Sequence, residues 1–228
     1  MINNILSDTI VAISTPKGVG GIAVIRISGS EAISIVNSSW KGVNLENAES
    51  HTAHLGYILD SGNQVIDQVV ATIYKAPKSF TGENVVEIAC HGSSWIQKEL
   101  INEFARRGAR PATRGEFSQR AFINGKMDLA EIEAVADLIA SSSRAAHKIA
   151  ISQMRGDFSN KLSELRQQLL NFVSLIELEL DFSEEEVEFA DRQQLTNLAN
   201  DVRTIVNNLA NSFSIGSSIK DGIPVAIA

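Results

Sequence analysis

Cysteine is almost missing from this chain. Cys90 stands alone among 228 residues, which excludes an internal disulfide framework and a zinc site built from cysteines. No apolar run approaches the roughly 20 residues that a membrane-spanning helix requires. The start, M-I-N-N-I-L-S-D-T-I, has neither the basic opening nor the long apolar core of a signal peptide. There is no internal repeat and no low-complexity tract. These absences point to a soluble chain with no membrane partner, expected in the cytoplasm. What is present is ordinary for such a chain: 44% hydrophobic and 21% charged residues, enough for one large domain or two of common size.

The charge is unevenly placed. Residues 1–126 carry 12 Lys and Arg against 11 Asp and Glu, whereas residues 127–228 carry 8 against 16. The whole net charge of −7 therefore lies in the second half, and a step of this kind suggests a domain boundary near residue 126. It also argues against a general nucleic-acid surface on that half.

Hydrophobic period divides the chain in the same way. Ile10–Ile13 and Ile22–Ile27 are β-branched apolar runs joined by P-K-G-V-G-G, a glycine-rich link between paired strands. Ser28-Gly29-Ser30 offers a hydroxyl N-cap to a short helix, E-A-I-S-I-V-N. H-L-G-Y-I-L and V-I-D-Q-V-V-A-T-I-Y flank Ser61-Gly62-Asn63 and read as a second hairpin. V-V-E-I-A-C-H, residues 85–91, is a further strand. It is followed by an amphipathic helix with Ile96, Leu100, Ile101 and Phe104 on one face and Gly108 as its C-cap. The first half is α+β.

After residue 126 the strand signals stop. Leu129, Ile132, Val135 and Leu138 recur at helical spacing and the pattern runs on through Ile149 to Met154. Phe158, Leu162, Leu165, Leu169 and Phe172 carry a second helix beyond Gly156. Asp191 with Gln194 resembles a capping box that opens a third, through Leu195, Leu198, Val202, Ile205 and Leu209. Three amphipathic helices predict an all-α bundle. The last residues, D-G-I-P-V-A-I-A from Asp221 to Ala228, form a turn and a short apolar strand with nothing left to pair it. Either they are a frayed tail or they belong to something longer.

Several residues could carry chemistry. The glycine loop Gly18-Val19-Gly20-Gly21 leads into a strand and lacks G-K-[S/T], so it reads as a hairpin turn and not as a phosphate loop. Arg26 interrupts I-A-V-I-R-I-S and shares a strand face with Ile22 and Val24, both candidates for burial. It is either an edge arginine snorkelling to water or a cation facing an anionic ligand. Glu87 lies mid-strand with Ala89 and His91, opposite Val86, Ile88 and Cys90. It either points at solvent or accepts hydrogen bonds from a ligand. Cys90 and His91 point oppositely and make a poor nucleophile–base pair, so Cys90 reads as core. Residues 106–126 hold six cations and one anion in an acidic protein. An ordered, cation-dense loop with phenylalanines predicts an anionic partner, either a carboxylated or phosphorylated ligand or an RNA backbone. Lys126 falls at the expected domain junction, a common place for a ligand. The acidic cluster of Asp181, Glu184, Glu185, Glu186, Glu188 and Asp191 reads as a charged inter-helix turn in preference to a metal site.

Four stretches together carry a resemblance: T-I-V-A-I-S-T-P-K-G-V-G-G-I-A-V-I-R-I-S-G, S-F-T-G-E-N-V-V-E-I, G-E-F-S-Q-R-A-F-I-N-G-K-M-D-L and E-A-V-A-D-L-I. In this order they resemble the MnmE (TrmE) family of tRNA-modifying GTPases, from Asp8 to the end of the chain. Arg114, Ala89, Ser93 and Val19 depart from the residues common at their positions in that family.

The resemblance implies a folate-binding and dimerisation domain over 1–123, similar to the folate domain of the glycine-cleavage T-protein. The first part of a helical domain would occupy 124–220, and the entry into a Ras-like G domain 221–228. It implies a site for 5-formyl- or 5,10-methylene-tetrahydrofolate made by the arginine of R-I-S-G, the glutamate of V-V-E-I and the lysine of N-G-K, here Arg26, Glu87 and Lys126. It implies that the full protein uses GTP with Mg2+ and K+. With an FAD-dependent MnmG (GidA)-type partner, that protein would form an aminomethyl-type group at C5 of wobble uridine 34 in certain tRNAs. This chain alone, without a phosphate loop, would hold no catalytic, GTP-binding or metal residue. Two other readings stand beside it: a folate-binding or dimerisation module without catalysis, and an RNA-binding module acting through residues 106–126, with Arg110 and Arg114 as contacts.

Overall fold

The computed structural model describes residues 8–181, 193 and 196–208. The acidic run Glu184–Asp191, the capping pair Asp191 and Gln194, Leu195, Leu209 and the terminal stretch 221–228 lie outside the described residues, as does the side chain of Asp181. Two compact units divide between Asp128 and Leu129.

In the first unit the strands are β1 (Ile10–Ile13), β2 (Gly20–Ser28), β3 (Trp40–Lys41), β4 (Thr52–Leu59), β5 (Val65–Tyr74), β6 (Val85–Gly92) and β7 (Arg110–Pro111). They form one sheet in the order β3-β4-β5-β6-β2-β1-β7. Both hairpins expected from the sequence are present, β1 with β2 and β4 with β5, each antiparallel. β6 lies between them, antiparallel to both. β7 pairs parallel with β1 at the edge.

Two helices, α1 (Ala32–Ser38) and α2 (Ser94–Arg106), cover one face of this sheet. Alternation sorts β6 cleanly: Val86, Ile88 and Cys90 are buried with Ile25, Ile27, Ala71 and Ile73, and meet Leu100 and Phe104 of α2 in one core. Each of the larger side chains here contributes about 1.5–3 kcal/mol by leaving water. α1 does not use the Ser30 hydroxyl as a cap. Its N-cap is Glu31, whose N–H donates to Thr9 Oγ1 across the sheet edge at 3.2 Å. A non-local hydroxyl thus serves the N–H of the cap residue itself, and no side chain caps the first turn.

The opposite face of the sheet is open, and this overturns the expected burial of Ile22. A register shift between Gly20 and Ala23 leaves Ile22 72% exposed. Val24 is half-buried. Arg26 therefore stands on the open side.

Cys90 is a core residue. Burial first, and the Asp67 carboxylate second, push its thiol up to about 11, and reactivity follows the thiolate. Cys90 in the native protein is expected to resist Ellman's reagent at pH 8 and to titrate as one thiol in urea. Stoichiometric labelling without denaturant would overturn this.

The second unit is helical: α4 (Leu129–Ala140), α5 (Arg144–Met154) and α6 (Asp157–Asp181), with residues 196–208 also helical. A further helix, α3 (Glu116–Ile123), belongs to the first unit. The helix expected across 129–154 is broken at Ser141-Ser142-Ser143. Ser141 Oγ donates back to the Leu138 carbonyl at 2.8 Å, and Ser143 Oγ accepts from Ala146 N–H at 3.1 Å as the N-cap of α5. Serine hydroxyls compete with the helical ladder for backbone partners, and here they end one helix and start the next. The apolar stripe of α4 is only half-covered: Ala134 is its buried residue, and Leu129 is 61% exposed. Among the described residues no helix is long and apolar enough to cross a membrane.

Candidate functional site

Because β6 runs antiparallel beside β2, Arg26 and Glu87 are direct cross-strand partners. Arg26 Nε donates to Glu87 Oε1 at 2.9 Å, and Nη2 reaches the same oxygen at 2.7 Å. Both side chains are about one-quarter exposed, so the ion pair sits in a shallow recess of the open face. Phe80 and Phe117 flank the guanidinium, with ring centroids 5.0 and 5.6 Å from its carbon. Such cation–π packing holds the arginine head flat and partly dry. Thr72 of β5 is the other ladder neighbour of Glu87. Tyr74 lies near the carboxylate; burial, then Glu87, raise the tyrosine pKa.

Lys126 reaches this neighbourhood by a different route. α3 starts after Gly115, its left-handed N-cap, and Glu116 in its first turn accepts from Thr113 N–H at 2.7 Å and from the Thr113 hydroxyl at 3.1 Å. The helix ends in N-G-K. Lys126 N–H donates to the Ala121 carbonyl at 2.8 Å and Gly125 N–H to Phe122 at 2.9 Å, while Gly125 has φ +66°. This is the closing turn that glycine favours after a helix C-terminus. Asn124 Nδ2 then donates to the Thr81 carbonyl at 2.7 Å, seating the turn on the F-T-G-E-N loop. A Cβ on Gly82 would come within 3.0 Å of Lys126 Cγ, so the bare glycine makes room for the lysine stem. Of the three sequence candidates, Arg26 and Glu87 touch. Lys126 is exposed and is joined to them through the loop that carries Phe80.

The basic segment 106–126 finds its anions within the protein. Arg106 and Arg107 both bind Glu103 of α2, at 3.0 and 2.7 Å. Arg110 binds Asp8 and Glu116, each at 2.6 Å. Arg120, 1% exposed, lies among Asp8, Glu83 and Glu116. It also donates to the Asp8 carbonyl at 2.7 Å. Glu83 in turn accepts from Ser28 Oγ at 2.6 Å. This corrects the expectation of an external anion for the segment as a whole. Arg110, a proposed RNA contact, is clamped by two carboxylates, whereas Arg114 is exposed. Single-sequence reasoning missed the cluster because its acidic partners come from residues 8 and 83. The Thr113-x-x-Glu116 pattern and the N-G after Ile123 were the signals that could have located α3.

The cluster makes the fold acid-sensitive. Burial raises the Glu116 carboxyl, but its bonds to Arg110 and Thr113 outweigh this and bring it from 4.5 down to about 2. The Asp8 carboxyl is likewise lowered by Arg110 and Arg120 against the opposing effect of burial. A carboxyl held lower in the folded than in the unfolded chain stabilises the fold fully above pH ~4.5, and that contribution is lost as pH falls toward ~2. The thermal midpoint of the first unit should fall steadily between pH 5 and pH 2, and a Glu116→Gln variant should flatten the curve. A midpoint constant over that range would overturn the assignment.

Comparison with known proteins agrees with this architecture. The family model described as "GTP-binding protein TrmE N-terminus" matches residues 9–126, and that described as "MnmE helical domain" matches 129–224. The chain is 54% identical over 223 residues to the tRNA modification GTPase MnmE of Flavobacterium johnsoniae, covering 96% of this chain and 48% of that protein. It is 55% identical over 226 residues to that of Flavobacterium psychrophilum, covering 98% and 49%. The protein of the same name from Parabacteroides distasonis is 53% identical over 224 residues, covering 96% and 49%. The chain spans about half the length of the curated relatives it matches.

Proposed function

The chain belongs to the MnmE family of tRNA modification GTPases, and from that premise we propose that its first unit is the folate-binding and dimerisation part of such an enzyme. The bound molecule is 5-formyl- or 5,10-methylene-tetrahydrofolate, and Arg26, Glu87 and Lys126 hold it. The observation that carries the reading is the Arg26–Glu87 pair on the open face of the sheet, flanked by Phe80 and Phe117. A carboxylate can accept two N–H groups from the 2-amino-4-oxo edge of a pterin. Two phenyl rings beside it suit a flat heteroaromatic ring. Lys126, exposed on the adjoining turn, suits a carbonyl or formyl oxygen.

The wider reading follows the family. With an FAD-dependent MnmG-type partner, the protein uses the one-carbon unit of the folate to build the aminomethyl or carboxymethylaminomethyl group at C5 of wobble uridine 34 in certain tRNAs. GTP hydrolysis, with Mg2+ and K+, belongs to a G domain. The 228 residues contain no G-x-x-x-x-G-K-[S/T] stretch, and this chain alone is expected not to hydrolyse GTP.

Calorimetric titration of the chain with 5-formyltetrahydrofolate tests the folate reading. Saturable binding of one ligand per chain supports it. A folded chain that gives no binding heat and no shift in melting temperature overturns it.

A further inference from the structure

At the other end of β6 a second polar side chain, His91, stands on the open side of the sheet and pairs with Asp67, which alternates with the buried Val69, Ala71 and Ile73 of β5. His91 follows Glu87 by four residues on the same face, which at the rise of a strand is about 13 Å. Its side chain is 67% exposed, and its Nδ1 lies 2.7 Å from Oδ1 of Asp67. Asp67 is buried and already accepts from the backbone N–H groups of His91 and Gln68, each at 2.9 Å. Its carboxylate is thus fixed by the backbone and in turn fixes the imidazole. With Nδ1 held by the Asp67 carboxylate, Nε2 is the ring nitrogen left free to meet a ligand.

Between the two ends the floor is apolar. Ala89 stands midway along β6, with Val24 of β2 and Val70 of β5 as its ladder neighbours. The open face of β6 therefore presents a carboxylate, a small apolar step and an oriented imidazole in a row. An extended folate has the complementary order: a hydrogen-bond-donating pterin edge, a flat benzoyl ring and an anionic glutamate.

We propose that His91, oriented by Asp67, receives the glutamate carboxylate of the ligand whose pterin meets Glu87. The inference rests on the folate reading of the Arg26–Glu87 pair. On binding, the ring takes up one proton from a buffer acid, which leaves as its conjugate base, and donates Nδ1–H to Asp67 and Nε2–H to the ligand carboxylate. No other bond changes.

The test pairs two ligands with two variants of the chain. Wild type, His91→Gln and Lys126→Ala are titrated with 5-formyltetrahydrofolate and with 5-formyl-6-methyltetrahydropterin, which lacks the benzoyl-glutamate tail. His91→Gln is expected to bind the full folate about tenfold more weakly, as for loss of one charge-assisted hydrogen bond, and the tail-less pterin as wild type does. Equal weakening toward both ligands would make His91 structural and overturn the proposal. So would a tail preference that survives in His91→Gln but vanishes in Lys126→Ala. If wild type binds folate in a Glu87-dependent way and His91→Gln is unchanged, this inference fails and the folate reading stands. If folded wild type binds neither ligand, both fail together. Because the His91 side chain is mostly exposed, a melting curve like that of wild type is expected and confirms that folding is not the variable.

Discussion

Arg120→Met is expected to lower the stability of the first unit by about 3–5 kcal/mol, the usual cost of removing one partner from a buried ionic cluster. Methionine has similar length and keeps apolar contacts, so the loss isolates the charge. Arg120 reaches the carboxylates of Asp8, Glu83 and Glu116 and also the Asp8 carbonyl. It therefore ties together the segment leading into β1, the loop before β6 and helix α3. Without it, three carboxylates remain close together with Arg110 as the cation seen on two of them. Part of the penalty is then expected as raised carboxyl pKa values, and Arg120→Met should recover some stability on mild acidification. Urea denaturation at pH 7 measures the effect. A change below about 1 kcal/mol would show that the cluster contributes no more than an exposed pair.

Glu87→Ala is expected to weaken binding of 5-formyltetrahydrofolate by about 100-fold or more. Hydrogen bonds to a charged group contribute about 1.5–3 kcal/mol each. Two of them lost from one pterin edge amount to roughly 3 kcal/mol or more, which is at least two decades in affinity. Arg26→Ala is expected to be milder, about tenfold, because it removes the group that orients the carboxylate and leaves the acceptor itself. The order of the two effects is the informative outcome. If Arg26→Ala is the more damaging, the guanidinium meets the ligand directly and Glu87 serves to hold it. If Glu87→Ala binds folate within twofold of wild type, the assigned site is wrong. Fold effects are separable by melting curves, since both side chains stand on the open face of the sheet, outside the apolar core.

Much of this protein follows from local rules that a single sequence carries. Period-2 alternation in V-V-E-I-A-C-H sorted Glu87 and His91 from Val86, Ile88 and Cys90 before any coordinates, and burial in the structure agrees. The 3.6-residue period found α2 with its buried Leu100 and Phe104. Glycines in G-V-G-G and S-G-N marked the hairpin connections, and the loss of strand signals after residue 126 marked the change from mixed to helical structure. These properties depend on residues a few positions apart, so their physics is complete within a short window. Short elements escaped the same reading. β3 and β7 have two residues each, too few for any period, and the serine run that divides α4 from α5 acts through side-chain bonds that compete with an otherwise continuous helical stripe.

Tertiary structure alone decided what depends on distant partners. Nothing in the alternation of β2 or β6 states that one lies beside the other, yet that adjacency makes Arg26 and Glu87 a pair and places Ala89 beside Val24. Which side of β2 meets the helices was also undetermined, because Ile22 and Val24 are as apolar as Ala23 and Ile25; packing of α1 and α2 on one face left Arg26 on the other. The segment 106–126 is basic by composition, but its charge is answered by Asp8 and Glu83, which lie 112 and 37 residues from Arg120. A local sequence window records the sign of a charge, and only the folded chain brings its counter-charge within reach.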